Sequence, residues 1–197
     1  MMLKVTILVG NPKPQSRTLK LAEALVDRLL AAGSYDLQVI DLTDHAGELF
    51  AWPSSEMAEL ARAVADSDLL IVASPTYKAT YTGLLKSFLD RYAANGLRGV
   101  TAIPVMTGAD LSHSMGPDVN LRPLLVELGA SVPTKGLYFV TGQMGRMNEI
   151  VAAWADENLA VLRLLQPVVL SMLTNSPAEH GPIAPDVSET LMSGARA

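Results

Sequence analysis

The chain has 197 residues, of which 49% are apolar and 18% charged, and it carries a net charge of −5 with no cysteine. That length suits one substantial core, and the missing cysteines exclude disulfides, thiolate nucleophiles, iron–sulfur clusters and thiolate zinc sites. The mild acidity, with no basic run, speaks against a nucleic-acid surface, which needs clustered Lys and Arg; its plainest meaning is solubility.

Val5 to Val9 is a short, branched apolar run that ends at Gly10. It reads as a first strand, not as a signal peptide, because its apolar part is far shorter than a secretory core. From Thr18 to Leu30 apolar residues recur at helical spacing (Leu21, Ala24, Leu25, Leu29). Leu37 to Leu42 is a second strand. Residues 43–55 form a loop carrying Phe50, Trp52 and Pro53, and Ser55 is placed to cap a helix over Glu56 to Ala65. Leu69 to Ala73 is continuously apolar, as a central parallel strand covered on both faces would be.

A helix from Gly83 to Tyr92 follows, and then a fourth strand over Val100 to Met106, with Pro104 as an objection. Pro117 to Leu128 reads as helical, and Leu137 to Val140 as a fifth strand. Asn148 to Leu173 reads as a long apolar-rich helix broken near Pro167. Beyond it, Pro177, Pro182 and Pro185 among small polar residues predict a loose tail. No stretch approaches the ~20 apolar residues that span a bilayer, so a soluble, cytoplasmic protein is expected. The three histidines, His45, His113 and His180, share no metal-ligand spacing, and no metal site is expected.

Alternating strands and helices imply an α/β fold with a parallel sheet and right-handed crossovers. Five strands suit a three-layer sandwich of order 2-1-3-4-5, in which ligands bind beyond the carboxyl ends of the strands at the switch point. Chemistry is therefore expected after Val9, after Ala73 and after Met106.

The first of these loops is Gly10-Asn-Pro-Lys-Pro-Gln-Ser-Arg-Thr18. Gly10 lets the chain turn sharply. Ser16 and Thr18 supply hydroxyls at a helix start, whose free N–H groups attract a phosphate, and Lys13 and Arg17 add charge. Neither a Walker ending nor a multi-glycine dinucleotide fingerprint is present, so a monophosphate fits better; a solvated loop with an ordinary Ser/Thr cap fits too. The second loop, Ser74-Pro-Thr-Tyr-Lys-Ala-Thr-Tyr-Thr-Gly83, offers Tyr77 and Tyr81 as flat faces for an aromatic ring, or for packing at the sheet edge. The third, Thr107-Gly-Ala-Asp-Leu-Ser-His113, has Gly108 for close backbone approach to a ligand and His113 as a proton donor or a surface histidine. A phosphate loop beside a ring loop fits FMN. The apolar loop with Phe50 and Trp52 reads as a ring cover, a dimer contact or a cap on the core.

The run Ser74-Pro-Thr-Tyr-Lys-Ala-Thr-Tyr-Thr-Gly-Leu-Leu-Lys-Ser-Phe-Leu-Asp90 resembles the signature of NAD(P)H-dependent FMN reductases. The branch it resembles most is the flavin reductases of two-component alkanesulfonate and methanesulfonate monooxygenases. Gly10 to Thr18 is similar to that family's phosphate loop, Thr107-Gly108 to its third loop, and Leu121-Arg-Pro-Leu-Leu125 to a recurring helix. The chain departs from the pattern at Pro12 and Pro14, at Ala109 where a second glycine is common, and near Asp118-Val119-Asn120, where some members carry an extra tyrosine.

The resemblance implies a single flavodoxin-like FMN-binding domain over residues 1–173, with 174–197 as the tail. It implies that Ser16, Arg17 and Thr18 hold the FMN phosphate. Pro75, Thr76, Tyr77 and Lys78 would line the isoalloxazine and ribityl chain, and Thr107, Gly108 and Ala109 the ring's other side. The implied substrates are NADPH or NADH and FMN, with hydride passing from nicotinamide to flavin N5 and no catalytic side chain required. Reduced FMN would go to a partner monooxygenase, and the chain would form a homodimer or homotetramer. The alternatives are an FMN-retaining quinone or azo reductase and a non-enzymatic flavodoxin-like electron carrier; the lysine in the second loop argues against the carrier.

Overall fold

A computed structural model describes residues 2–172. The elements in chain order are β1 (Leu3–Val9), α1 (Arg17–Leu29), β2 (Tyr35–Asp41), α2 (Ser55–Ala65), β3 (Leu69–Pro75), α3 (Gly83–Leu89), β4 (Thr101–Gly108), α4 (Arg122–Glu127), β5 (Leu137–Val140) and α5 (Met147–Met172). The five strands are parallel, in the order β2-β1-β3-β4-β5. The expected topology is therefore the observed one, and the switch point lies between β1 and β3.

Side-chain alternation along the central strands explains why they read as continuous apolar runs. Val5, Ile7 and Val9 of β1 and Ile71 and Ala73 of β3 face α1 and α5, where Leu21, Leu25, Val151 and Trp154 meet them. Leu8, Leu70 and Val72 face the opposite layer, against Met57, Val64, Leu85, Phe88 and Leu125 of α2, α3 and α4. Both faces are buried, so apolar residues fill both phases of the alternation, and the buried hydroxyl of Thr6 is satisfied by Ser67 at 2.7 Å.

Several boundaries differ from the sequence reading. Ser54, not Ser55, caps α2: its hydroxyl oxygen accepts from Met57 N at 3.3 Å while its proton goes to Glu48 Oε2 at 3.1 Å. Two adjacent serines are locally equivalent, and the distant Glu48 selects one of them. α3 ends at Leu89 instead of Tyr92. The next side chains serve other elements: the Tyr92 hydroxyl donates to Ala61 O at 2.8 Å. Residues expected to form one helix over 117–128 divide into a wide π-turn, Pro117–Leu121, and α4. The helix expected to break near Pro167 runs on to Met172, since an internal proline removes one backbone bond without ending a helix. The predicted tail, 174–197, lies outside the described residues.

Pro104 sits within β4 without breaking it. Ala102 N, two residues earlier and on the same edge, bonds Ser131 O, whereas pairing with β5 begins only at Val105. The missing donor of Pro104 therefore faces the gap between Ser131 and Leu137, where no ladder bond is due.

Candidate functional site

Beyond the carboxyl ends of β1, β3, β4 and β5 the loops enclose a cleft of 420 Å³, within the range of small-ligand sites. Nine of the ten residues predicted for the site line it: Ser16, Arg17, Thr18, Pro75, Thr76, Tyr77, Thr107, Gly108 and Ala109. Lys78 does not; it stands exposed on the second loop, one residue beyond the lining. His113 is exposed and outside the lining, as are Phe50 and Trp52. Tyr81 packs half-buried on the core layer of α2, α3 and α4. The loop caps the core through buried Leu49, while Phe50 projects 78% exposed. Asn11, Lys13, Pro14, Gln15 and Thr141 complete the lining. Thr141 was absent from the predicted set although it follows β5, where the rule for open sheets also points.

At one end of the cleft stands the start of α1. Ser16 caps it, its hydroxyl oxygen accepting from Leu19 N at 3.1 Å, which leaves the hydroxyl proton to donate elsewhere. No acidic residue occupies the first turn of α1, so its partial positive charge is not neutralised by this helix. Arg17 reaches across to Thr141 O at 3.4 Å. Gln15, just before the cap, has φ of 50°, a left-handed conformation held here by a non-glycine residue.

Thr18 performs a different task from Ser16. It is buried, and its hydroxyl takes a bond from Asn11 Nδ2 at 3.0 Å and lies 2.9 Å from the Thr107 hydroxyl. The same Asn11 accepts from Lys13 N at 3.0 Å, and Thr107 O accepts from Thr76 N at 2.7 Å. A chain of bonds thus ties all three loops together beneath the cleft.

Gly10 is required by space and Gly108 makes room for the end of the Tyr138 side chain, with neither glycine in a left-handed conformation. A Cβ at Gly10 would lie 2.4 Å from Leu85 Cβ of α3, so the glycine serves helix packing, not a sharp turn. A Cβ at Gly108 would lie 1.8 Å from the Tyr138 hydroxyl oxygen. The close approach made possible there is by Tyr138, whose hydroxyl donates to Asp110 O at 2.8 Å and so holds the third loop against β5. Burial pushes the Tyr138 phenol above its ordinary range, which keeps it a donor.

Among the described residues, two cations and no carboxylate or histidine line the cleft. With Lys13 and Arg17 beside the start of α1, the cleft's charge suits an anion. The Thr76 hydroxyl is buried in the wall and lies close enough to the Tyr138 phenol to draw that group's pKa down against the larger, opposite effect of burial. Tyr77, 46% exposed, stands beside it. An anionic group at the α1 end and a flat polar ring along Thr76 and Tyr77 describe a flavin mononucleotide, and these residues fit that group.

Comparison with known proteins agrees. The family model described as NADPH-dependent FMN reductase matches residues 3–145. An NADH-dependent FMN reductase, SfnF of Pseudomonas fluorescens, is 36% identical over 142 residues, covering 69% of this chain and 75% of that protein. An FMN reductase (NADPH) of Escherichia coli K12 is 32% identical over 141 residues, covering 69% and 72%. The crystal structure of the NADH:FMN oxidoreductase EmoB in its apo form superposes with a TM-score of 0.68 at 26% identity, covering 95% of this chain and 99% of that one. With the matched family model spanning all three cleft loops, the chain belongs to the NADPH-dependent FMN reductase family.

Proposed function

We propose that this protein oxidises NADPH or NADH, reduces FMN that it binds as an exchangeable substrate, and supplies the reduced flavin to a separate flavin-dependent monooxygenase. The observation that carries the reading is the cleft itself: a helix start with two cations, Lys13 and Arg17, and an aromatic face, Tyr77, beside them. The bound flavin supplies the hydride-accepting atom and the nicotinamide the donor, so the protein contributes position and electrostatics.

Ser16 and Arg17, with the first N–H groups of α1, hold the phosphate. Thr18 keeps that loop in register with Thr107. Pro75, Thr76 and Tyr77 line one side of the ring, and Thr107, Gly108 and Ala109 the other. Lys78 acts from the cleft's rim. The SfnF relatives are named NADH-dependent FMN reductases, which supports flavin reduction; delivery to an oxygenase rests on the resemblance of Ser74 to Asp90 to the reductases of two-component monooxygenases. Among the described residues no helix is long and apolar enough to cross a membrane, and we place the protein in the cytoplasm. Exposed Leu111, Met115 and Val119 supply surface for a homodimer or homotetramer.

The test follows oxidation of NADPH, then NADH, at varied FMN. Saturable dependence on added FMN is expected. Flavin that stays bound through purification, with turnover only when a quinone or azo dye is added, would replace this reading with the flavin-retaining one. In the same assay Ser16→Ala is expected to raise the KM for FMN about five- to tenfold, because a neutral hydroxyl bonded to phosphate contributes roughly 1–1.5 kcal/mol. The variant is also expected to lose ~1 kcal/mol of stability with the cap of α1, seen as an earlier urea midpoint. An unchanged KM would remove Ser16 from the phosphate site.

A further inference from the structure

The second loop ends its approach to the cleft in a turn that its sequence does not favour. Tyr77 N donates to Thr80 O at 2.9 Å and Thr80 N to Tyr77 O at 3.4 Å, which closes a two-residue hairpin. The two central residues, Lys78 and Ala79, have φ of 52° and 73°. Positive φ at both positions is the demand of a type I′ turn, which asparagine and glycine meet and which lysine and alanine meet only under strain. The base of the loop is well secured. Thr76 N bonds Thr107 O at 2.7 Å, Thr82 N bonds Ser74 Oγ at 3.0 Å, and the Thr82 hydroxyl bonds Gly10 O at 2.5 Å. At the strained apex, one side chain from elsewhere in the described structure bonds the backbone: Asn120 Nδ2 donates to Ala79 O at 3.1 Å.

Asn120 belongs to the π-turn Pro117–Leu121, which is itself rigidly seated. Asp118 Oδ1 accepts from Arg122 Nε at 3.1 Å and from Gly136 N at 2.9 Å, and Arg122 reaches on to the carbonyl of Val132. Neighbouring Val119 is 57% exposed, whereas Asn120 is turned in against the second loop. A wide turn of this kind, frequent at functional sites, here aims a single amide at the carbonyl of a strained residue.

We propose that Asn120 is a positioning residue for flavin: its amide holds the Lys78–Ala79 turn in its strained form and thereby keeps Tyr77 at the wall of the cleft. Without that bond the turn relaxes toward negative φ, the Tyr77–Thr80 pair opens, and the ring side of the cleft loses its edge. The inference rests on the FMN reading for its functional consequence, and on the turn alone for its structural one.

The experiment compares Asn120→Ala and Asn120→Asp, the latter of the same shape but without the N–H donor, each with and without Ala79→Gly. FMN affinity is read by quenching of flavin fluorescence, kcat and the KM for FMN by nicotinamide oxidation, and exchange of the Tyr77 and Thr80 amides on flavin-free protein. Both single variants are expected to weaken FMN binding about three- to tenfold, with kcat nearly unchanged and faster exchange at Thr80. Glycine at 79 removes the strain at the residue Asn120 holds, leaving that at Lys78, so adding Ala79→Gly to Asn120→Ala is expected to restore most of the affinity and slow exchange; a mere defect in folding would not be mended there. Wild-type affinity in both single variants, or a defect that Ala79→Gly leaves untouched, overturns the proposal. If the wild-type protein itself binds no FMN, the functional reading fails. Amide exchange then decides alone: acceleration in Asn120→Ala upholds the clamp, and its absence overturns it.

Discussion

Gly10→Ala is expected to destabilise the fold by ~2–3 kcal/mol and to cost most of the protein's affinity for FMN. The added methyl carbon would lie 2.4 Å from Leu85 Cβ, with Leu85 Cα at 3.1 Å and N at 3.2 Å. None of these atoms is the end of a flexible side chain, so relief requires α3 to move as a body. That helix is fastened at its start to the same place, because the Thr82 hydroxyl caps α3 and donates to Gly10 O. Displacing it therefore pulls the second loop away from the first, and the two walls of the cleft part. For a chain of this size the loss corresponds to a fall of roughly 4–12 °C in melting temperature. Calorimetry and flavin-fluorescence quenching on one preparation check both parts. A variant that melts with the wild type would mean that α3 is not held as tightly as these distances state.

Arg91→Ala is expected to cost ~2–4 kcal/mol, with the damage confined to the loop after β2. Arg91 is 4% exposed. Its guanidinium donates to Leu49 O and Ala51 O, each at 3.2 Å, and its carbon lies 4.0 Å from the centre of the Trp52 ring. No carboxylate pairs with it among the described residues, and burial pulls its pKa below the usual arginine value. The carbonyls repay the desolvation in its place. Truncation leaves these acceptors without their donor, at roughly 1–3 kcal/mol, and removes the packing of the long stem and the ring contact. Arg91→Lys should recover only part, since an ammonium cannot span the two carbonyls in one plane. Urea unfolding measures the loss, and limited proteolysis between residues 45 and 53 locates it. A loss below ~0.5 kcal/mol would show that buried Leu49 alone secures the loop.

The legibility of this protein in its sequence divides by distance along the chain. Strand β3 was readable because five consecutive apolar residues, Leu69 to Ala73, need burial on both faces, and β1 because its branched run Val5 to Val9 is broken only by Thr6. Alternation and crossover handedness pointed to a doubly wound parallel sheet, which five strands of order 2-1-3-4-5 suited, and the place of the cleft came from the rule that loops at the carboxyl edge carry the ligand. Hence Ser16, Thr76, Tyr77 and Thr107, expected at that edge from the sequence, do line the cleft. What each residue does at that edge was not readable. Thr18 bonds Thr107 across 89 positions, Gly108 makes room for Tyr138, and Arg91 holds carbonyls some 40 residues away. Lys78, adjacent to the lining, is turned out of it by a strained turn whose restraint comes from Asn120, 41 positions on from Ala79. The sequence by itself determined the parallel sheet, the family and the three loops, because periodicity and motif spacing are local. Which hydroxyls line the cleft, which glycine makes room for a helix and which side chains brace the walls emerged only on folding, because those depend on contacts between segments far apart in the chain.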